Sequence, residues 1–209
     1  MIEFKFACSF GTSCSSAELI RRNNWRSCAY PFDWVFSSLD VIKHCITTDF
    51  SLLLDKSQYV DIQIKWNSDQ CGHKTYDLNM FNHRDMREEH NYAYLTRCVE
   101  RLRDLFKSKE SKLFVLHFKN NTQEISPQVK NQVLTFANML KQYTTNFHIL
   151  TIWNISKARE RKHSSDTIGV VNFLSMCSIS EDSGMYFTND LDNQYIDRAI
   201  NTMYRFIGP

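Results

Sequence analysis

Apolar positions recur along this chain in two periods, and the places where one gives way to the other divide it into elements. Residues 4–10, FKFACSF, form a short strand-like run that stops at Gly11. A polar turn, Thr12-Ser13, follows, and a helix begins near Cys14 and breaks at Asn23-Asn24. Pro31 forces an extended or turn segment, and Ser37 or Ser38 caps a second helix over residues 39–46. Residues 49–90 are less regular. Within them, 59–66 alternate Val60, Ile62, Ile64 and Trp66 with polar neighbours, the pattern of a half-buried strand. Gly72, Asn79 and Asn82 punctuate a polar loop region that carries His73, His83 and His90.

The second half is plainer. Between residues 94 and 106, Leu95, Cys98, Val99, Leu102, Leu105 and Phe106 form a helical stripe. Residues 113–118, LFVLHF, are nearly all apolar, as in a strand covered on both faces. Ser126-Pro127 supplies an N-cap and a proline at the first helical position, and the stripe Val129, Val133, Phe136, Ala137, Leu140 carries that helix to about Tyr143. Residues 147–153 read as another buried strand, 168–173 as one more and 184–187 as a short one. Asp190 or Asp192 caps a last helix over 190–206 with Ile196, Ala199, Ile200 and Met203 inward. This strand–helix alternation predicts an α/β fold, a three-layer sandwich around a mostly parallel sheet. With no repeat or linker, residues 1–209 read as a single domain.

Composition narrows the class. A hydrophobic fraction of 43% with five Gly and three Pro gives a compact core-forming chain and excludes a disordered one. Twenty-five basic against 23 acidic residues leave a formal charge of +2, which does not mark a nucleic-acid binder. The basic cluster at residues 157–163 is interrupted by Glu160, lacks interleaved aromatics and reads as a solvated loop or helix face. Glu3 and Lys5 interrupt the N-terminal apolar run, so it does not read as a secretory leader, and no stretch is long and apolar enough to span a membrane. Seven cysteines in such a chain point to a reducing compartment, hence a cytoplasmic protein. The spacings of Cys8, Cys28, Cys45, Cys98 and Cys177 fit no metal or disulfide template and suit small core residues.

Cys14 is the sharpest chemical candidate. A helix N-terminus favours the thiolate, and the flanking Thr12, Ser13, Ser15 and Ser16 read as solvent-accessible capping residues. In α/β sheets sites gather at the carboxyl ends of strands, where Cys14, Asn120 and Asn154 each follow an apolar run. A cysteine hydrolase needs a base near the thiol and a group that orients the base, so topology makes Asn154 an orienter candidate. Asp33, between Phe32 and Trp34 after a proline-fixed turn, either orients a histidine or locks its own turn through backbone N–H groups. Among the histidines, His83 lies in a polar loop, His117 and His148 lie inside strands as core residues, and His90 sits at a helix start. Backbone N–H groups at residues 12–14 are the natural donors to an acyl oxyanion. Cys71, His73, His83 and His90 have ligand chemistry suited to zinc, but their spacing matches no zinc module, and no metal or cofactor is expected.

Ser9, Gly11, Cys14, Ala17, Ile20, Arg21 and Arg22, followed by Pro31, Phe32, Asp33 and Trp34, resemble the pattern of a papain-like cysteine peptidase family found in bacteria and viruses. A weaker match runs through Phe81-Asn82-His83, the helix from Tyr94 and the strand ending at Phe118, about the first three-fifths of the chain. The resemblance implies a Cys14 nucleophile with His83 as base, and the order Cys14, His83, Asn154 mirrors the family's Cys–His–Asn order. It also implies the alternative of a papain-like α+β fold, with the cysteine on a helix and the histidine on a β-rich half. The resulting expectation is a cysteine-dependent hydrolase, most like a peptidase, with Asn154 or Asp33 as orienter. It would act on a peptide, protein or acyl substrate in the cytoplasm (the host's, if viral), without nucleic acid or membrane, its oligomeric state open. An esterase-type α/β hydrolase and a non-catalytic binding protein or host-factor antagonist are the alternatives.

Overall fold

A computed structural model describes residues 1–62 and 70–208. In chain order the elements begin with β1 (Ile2–Phe4), β2 (Phe6–Ser9), α1 (Cys14–Arg22), α2 (Leu39–Thr47), β3 (Tyr59–Val60), β4 (Cys71–His73) and β5 (Asp77–Phe81). They continue with α3 (Glu89–Lys107), β6 (Lys112–Asn121), α4 (Pro127–Leu140), β7 (Phe147–Ile155), β8 (Lys162–Ile168), β9 (Val171–Cys177), α5 (Asp190–Met203) and β10 (Tyr204–Phe206). The main sheet has the order β2-β6-β7-β9-β8. Its first four strands are parallel and β8 closes the edge antiparallel to β9.

The two faces of that sheet separate by residue parity, as strand geometry requires. Phe114, Leu116, Ile149, Val171 and Phe173 face a core shared with α2, α3, α4 and the small sheet β3-β4-β5. Leu113, Val115, Leu150, Ile152, Leu174 and Met176 face a second core built with Leu19 and Ile20 of α1 and Ile196 and Ile200 of α5. This is the helix–sheet–helix sandwich the alternation predicts. Phe10, just past β2, stacks on Phe114 with ring centroids 4.4 Å apart and also meets Phe136 of α4 edge-on.

Several boundaries move. The run 4–10 is two strands: β1 leaves the main sheet at Lys5 and pairs in parallel with β10, residues placed by sequence inside the last helix. Strand β8 falls partly on the basic stretch expected as a solvated loop, and all seven of its residues are exposed. The proposed strand 184–187 is a single bridge between Asp182 and Phe187. Of the strand expected over 59–66, Tyr59 and Val60 form β3, and residues 63–66 lie outside those described. Among the described residues, no helix is long and apolar enough to cross a membrane.

Candidate active site

The site is assembled at the carboxyl edge of the parallel sheet. Strand β2 ends at Ser9, whose hydroxyl takes the Gly11 N–H at 3.1 Å and shares a hydrogen bond of 2.7 Å with Ser16 on the first turn of α1. Gly11 and Thr12 both sit at positive φ, +64° and +68°, which folds the chain back from strand to helix in two residues. Ser13 is the N-cap, its hydroxyl accepting from the Ser15 N–H, and Cys14 is the first helical residue. Thr12 is anchored on one side to the His117 carbonyl of β6 and on the other by its N–H to Ser37 Oγ.

His83 comes from the other side of the molecule. It follows β5 in the small antiparallel sheet, and its Nε2 lies 3.4 Å from Cys14 Sγ. The two meet in a cleft of about 750 Å³ lined also by Thr12, Ser37, Ser183 and Gly184. A cysteine on a helix facing a histidine carried by an antiparallel β segment is the division of labour expected of a papain-like architecture. Here it is set on a three-layer sandwich.

The expected solvent-accessible collar around Cys14 is not what the structure has. Ser13, Ser15 and Ser16 are buried, and Cys14 itself is 4% exposed. Burial therefore outweighs the helix terminus and pushes the thiol up to about 11, with Lys119 and the residue's own N–H pulling the other way. The resting group is a neutral thiol beside an imidazole.

Asp33 lies in the Pro31–Trp34 turn. It accepts the Tyr30 N–H at 3.2 Å and faces Arg26 at 3.6 Å. Burial raises its carboxyl to about 7, against the pull of the Tyr30 N–H and Arg26. It makes no direct hydrogen bond to His83 among the described residues. Trp34, at φ +61°, meets the His83 ring edge-on with centroids 6.4 Å apart. Asp33, Trp34, Tyr94 and His83 also line one small cavity of about 20 Å³.

Asn154 is fully buried at the end of β7, away from this contact. Its Oδ1 accepts from the Asn120 N–H at 3.3 Å and Ser156 Oγ at 2.9 Å, while its Nδ2 donates to Ser178 Oγ at 2.9 Å. Asn120 in turn donates from Nδ2 to the Asp182 carbonyl and accepts the Asp182 N–H. Asp182 Oδ1 accepts from Ser15 Oγ at 2.7 Å and from the Gly184 N–H at 2.6 Å. The result is a strap, residues 182–185, tied to α1 one residue beyond Cys14. Sequence reasoning passed over Asp182, though the polar stretch Ser180–Gly184 directly after an apolar strand was a usable signal for it. Behind the strap His117 is buried as expected of a strand-interior histidine, 3.8 Å from Asp182 Oδ2, but neither ring nitrogen has a hydrogen-bond partner among the described residues, and burial lowers its affinity for a proton.

The side chains with zinc-ligand chemistry do not gather among the described residues. His73 is buried in β4, with its ring bonded to the Leu52 carbonyl and the Tyr76 N–H, and the Cys71 sulfur accepts the Met86 N–H. Among the described residues no three His, Cys, Asp or Glu side chains are grouped to hold a metal ion, and the seven cysteines are free thiols.

No curated protein and no solved structure matches the chain. A family model described as "Putative papain-like cysteine peptidase" matches residues 5–163, a span that contains Cys14, Asp33, His83 and Asn154. That span exceeds half of the 209 residues, and the chain belongs to this papain-like cysteine peptidase family.

Proposed function

We propose that the protein is a single-domain, cytoplasmic, cysteine-dependent hydrolase that cleaves peptide or protein substrates. The observation that carries this reading is the 3.4 Å contact between Cys14 Sγ and His83 Nε2, formed across 69 positions of sequence inside the cleft of about 750 Å³. Such a contact puts a nucleophile and a base within reach of each other.

His83 Nε2 takes the Cys14 proton as the sulfur attacks the acyl carbon, so the S–C bond forms as the proton leaves. The imidazolium then gives that proton to the departing amine as the C–N bond breaks, leaving a thioester. Water attacks the thioester, losing its proton to His83, and the C–S bond breaks to release the carboxylic acid product. The returned proton restores the thiol. The N–H groups of Ser13 and Cys14, at the start of α1, are the donors assigned to the developing oxyanion in this reading. Asp33 is the orienting group for His83, acting through the Trp34 edge contact and the small cavity they share, which has room for one bridging water.

Alkylation by iodoacetamide, read by mass spectrometry for each cysteine, tests the pair without a known substrate. Cys14 is expected to react fastest at pH 7 despite its burial, ahead of the more exposed Cys28. His83→Ala is expected to slow it about a hundredfold or more at that pH while leaving the other cysteines unchanged. Equal rates at Cys14 in the two proteins would discard the mechanism and favour a binding protein.

A further inference from the structure

Lys119 stands just before the carboxyl end of β6, between Phe118 and Asn120, whose φ of +55° turns the strand toward the strap. It is half-buried, and among the described residues it makes no ion pair and no side-chain hydrogen bond. Of the two carboxylates on and just before the strap, neither forms an ion pair with Lys119 among the described residues. Glu181 pairs with Lys157 at 2.8 Å, while Asp182 accepts from Ser15 Oγ and the Gly184 N–H through Oδ1 and keeps a buried Oδ2 with no hydrogen-bond partner among the described residues. The Lys119 ammonium rests against Gly184, a residue of the cleft wall. A Cβ on that residue would come within 2.9 Å of Nζ, and the backbone there has a φ of +102°. The positive φ thus favours glycine at 184, and a side chain there would displace the flexible end of Lys119. The same charge acts on the Cys14 thiol in favour of its thiolate, and the N-terminus of α1 adds the positive end of its dipole. The described cleft lining includes one carboxylate, Asp77 of β5, whose Oδ1 already accepts the Asn79 N–H.

We propose that Lys119 makes this cleft selective for a substrate bearing a carboxylate beside the scissile acyl group, bound along the Gly184 wall; the proposal rests on the hydrolase reading above. A half-buried lysine with no partner among the described residues keeps its charge available for an incoming anion, and a peptide supplies anions as carboxylates. These come either from the C-terminus or from an Asp or Glu side chain. Lysine is a point charge, so it accepts either source without a fixed fork geometry.

Two alkylating agents that differ by one charge read this directly. The ratio of iodoacetate to iodoacetamide rates at Cys14 cancels any change in thiolate fraction, and glutathione supplies the ratio of a free thiol. The expected ratio for Cys14 exceeds that of glutathione, falls about fivefold in Lys119→Gln and survives in Lys119→Arg. Gly184→Ala, which pushes the ammonium aside with the charge retained, is expected to lower it as well. A ratio unchanged by Lys119→Gln in a protein that still melts cooperatively overturns the proposal. The iodoacetamide rate of His83→Ala reports separately on the hydrolase reading. Protection of Cys14 from iodoacetamide then identifies the source of the carboxylate. Protection by N-acetylglycine points to a C-terminal carboxylate, and protection by the α-amide of N-acetylaspartate to an acidic side chain. Neutral N-acetylglycinamide protecting as well as either acid, or neither acid protecting, also overturns it.

Discussion

At the scale of single residues, two buried acids decide how the protein responds to pH. Burial outweighs the helix terminus and pushes the Cys14 thiol up to about 11, so in the proposed mechanism it needs His83 to become a nucleophile at neutral pH. The gap in alkylation rate between the native protein and His83→Ala is therefore expected to be widest near pH 7 and to close as the pH approaches 11. A constant gap across that range would mean that the histidine acts on the fold and not on the proton. Asp33 works in the opposite direction from an ordinary ion-paired carboxylate. Its folded value, about 7, lies above the unfolded one, so the stability it contributes is present below about pH 4 and is lost as pH rises through 7. The loss amounts to about 4 kcal/mol at most. Asp33→Asn is expected to flatten the fall in urea midpoint between pH 4 and pH 8; an unchanged slope would remove the carboxyl as its source. The sequence made Asp33 a candidate for two roles. The turn-locking one is visible in its bond to the Tyr30 N–H, and the orienting one depends on Trp34 and the shared cavity.

Among the elements, the turn from β2 into α1 does most to place the chemistry. Gly11 is there because a side chain at φ +64° would run into Ser37, whose hydroxyl takes the Thr12 N–H. Gly11→Ala is expected to cost about 1–3 kcal/mol and to slow Cys14 alkylation, since the strain falls two residues before the helix cap. Chemical denaturation and the alkylation rate measure the two effects separately, and a full alkylation rate in a destabilised protein would detach this turn from the site. That turn was legible in sequence because a polar break directly after an apolar strand is a local signal. Strand β8 was not, because KHSSDTI is exposed throughout and only its pairing with β9 makes it a strand. Strand β10 escaped for the related reason that its partner β1 lies about 200 residues away, and nothing local marks the end of α5. Cys14 could be found from its own neighbours. The partnership with His83 rests on the folded contact, which the loop position alone did not determine. Asn154 was reached by topology and does lie at that edge, but the strap it supports exists only through the long-range bonds to Asn120 and Asp182.

For the whole molecule, the question is whether the two cores behave as one. Among the described residues the α1–α5 face and the α2–α3–α4 face share no buried side chains, yet they share strand β6, where Leu113 faces one and Phe114 the other. The site draws on both: Cys14 belongs to α1, on the first face, and His83 follows β5, whose small sheet packs on the second. If the chain folds as the single domain proposed, damage to either core must destabilise both, because β6 cannot remain a central strand with one face open. Leu113→Ala is expected to cost about 2–5 kcal/mol and Phe114→Ala about 3–5 kcal/mol, the usual range for truncating fully buried side chains. The shape of the transition carries more information than its midpoint. Both variants should melt in one calorimetric step, with the calorimetric and van't Hoff enthalpies in agreement. In each, tryptophan fluorescence, which includes Trp25 of the α1–α5 core, should follow the same curve as far-ultraviolet circular dichroism. A second transition in Phe114→Ala, with Trp25 still buried after the first, would show that the α1–α5 layer stands alone. Cys14 would then sit on a separable unit, and the Cys14–His83 contact would be an interface between two units instead of a feature of one core.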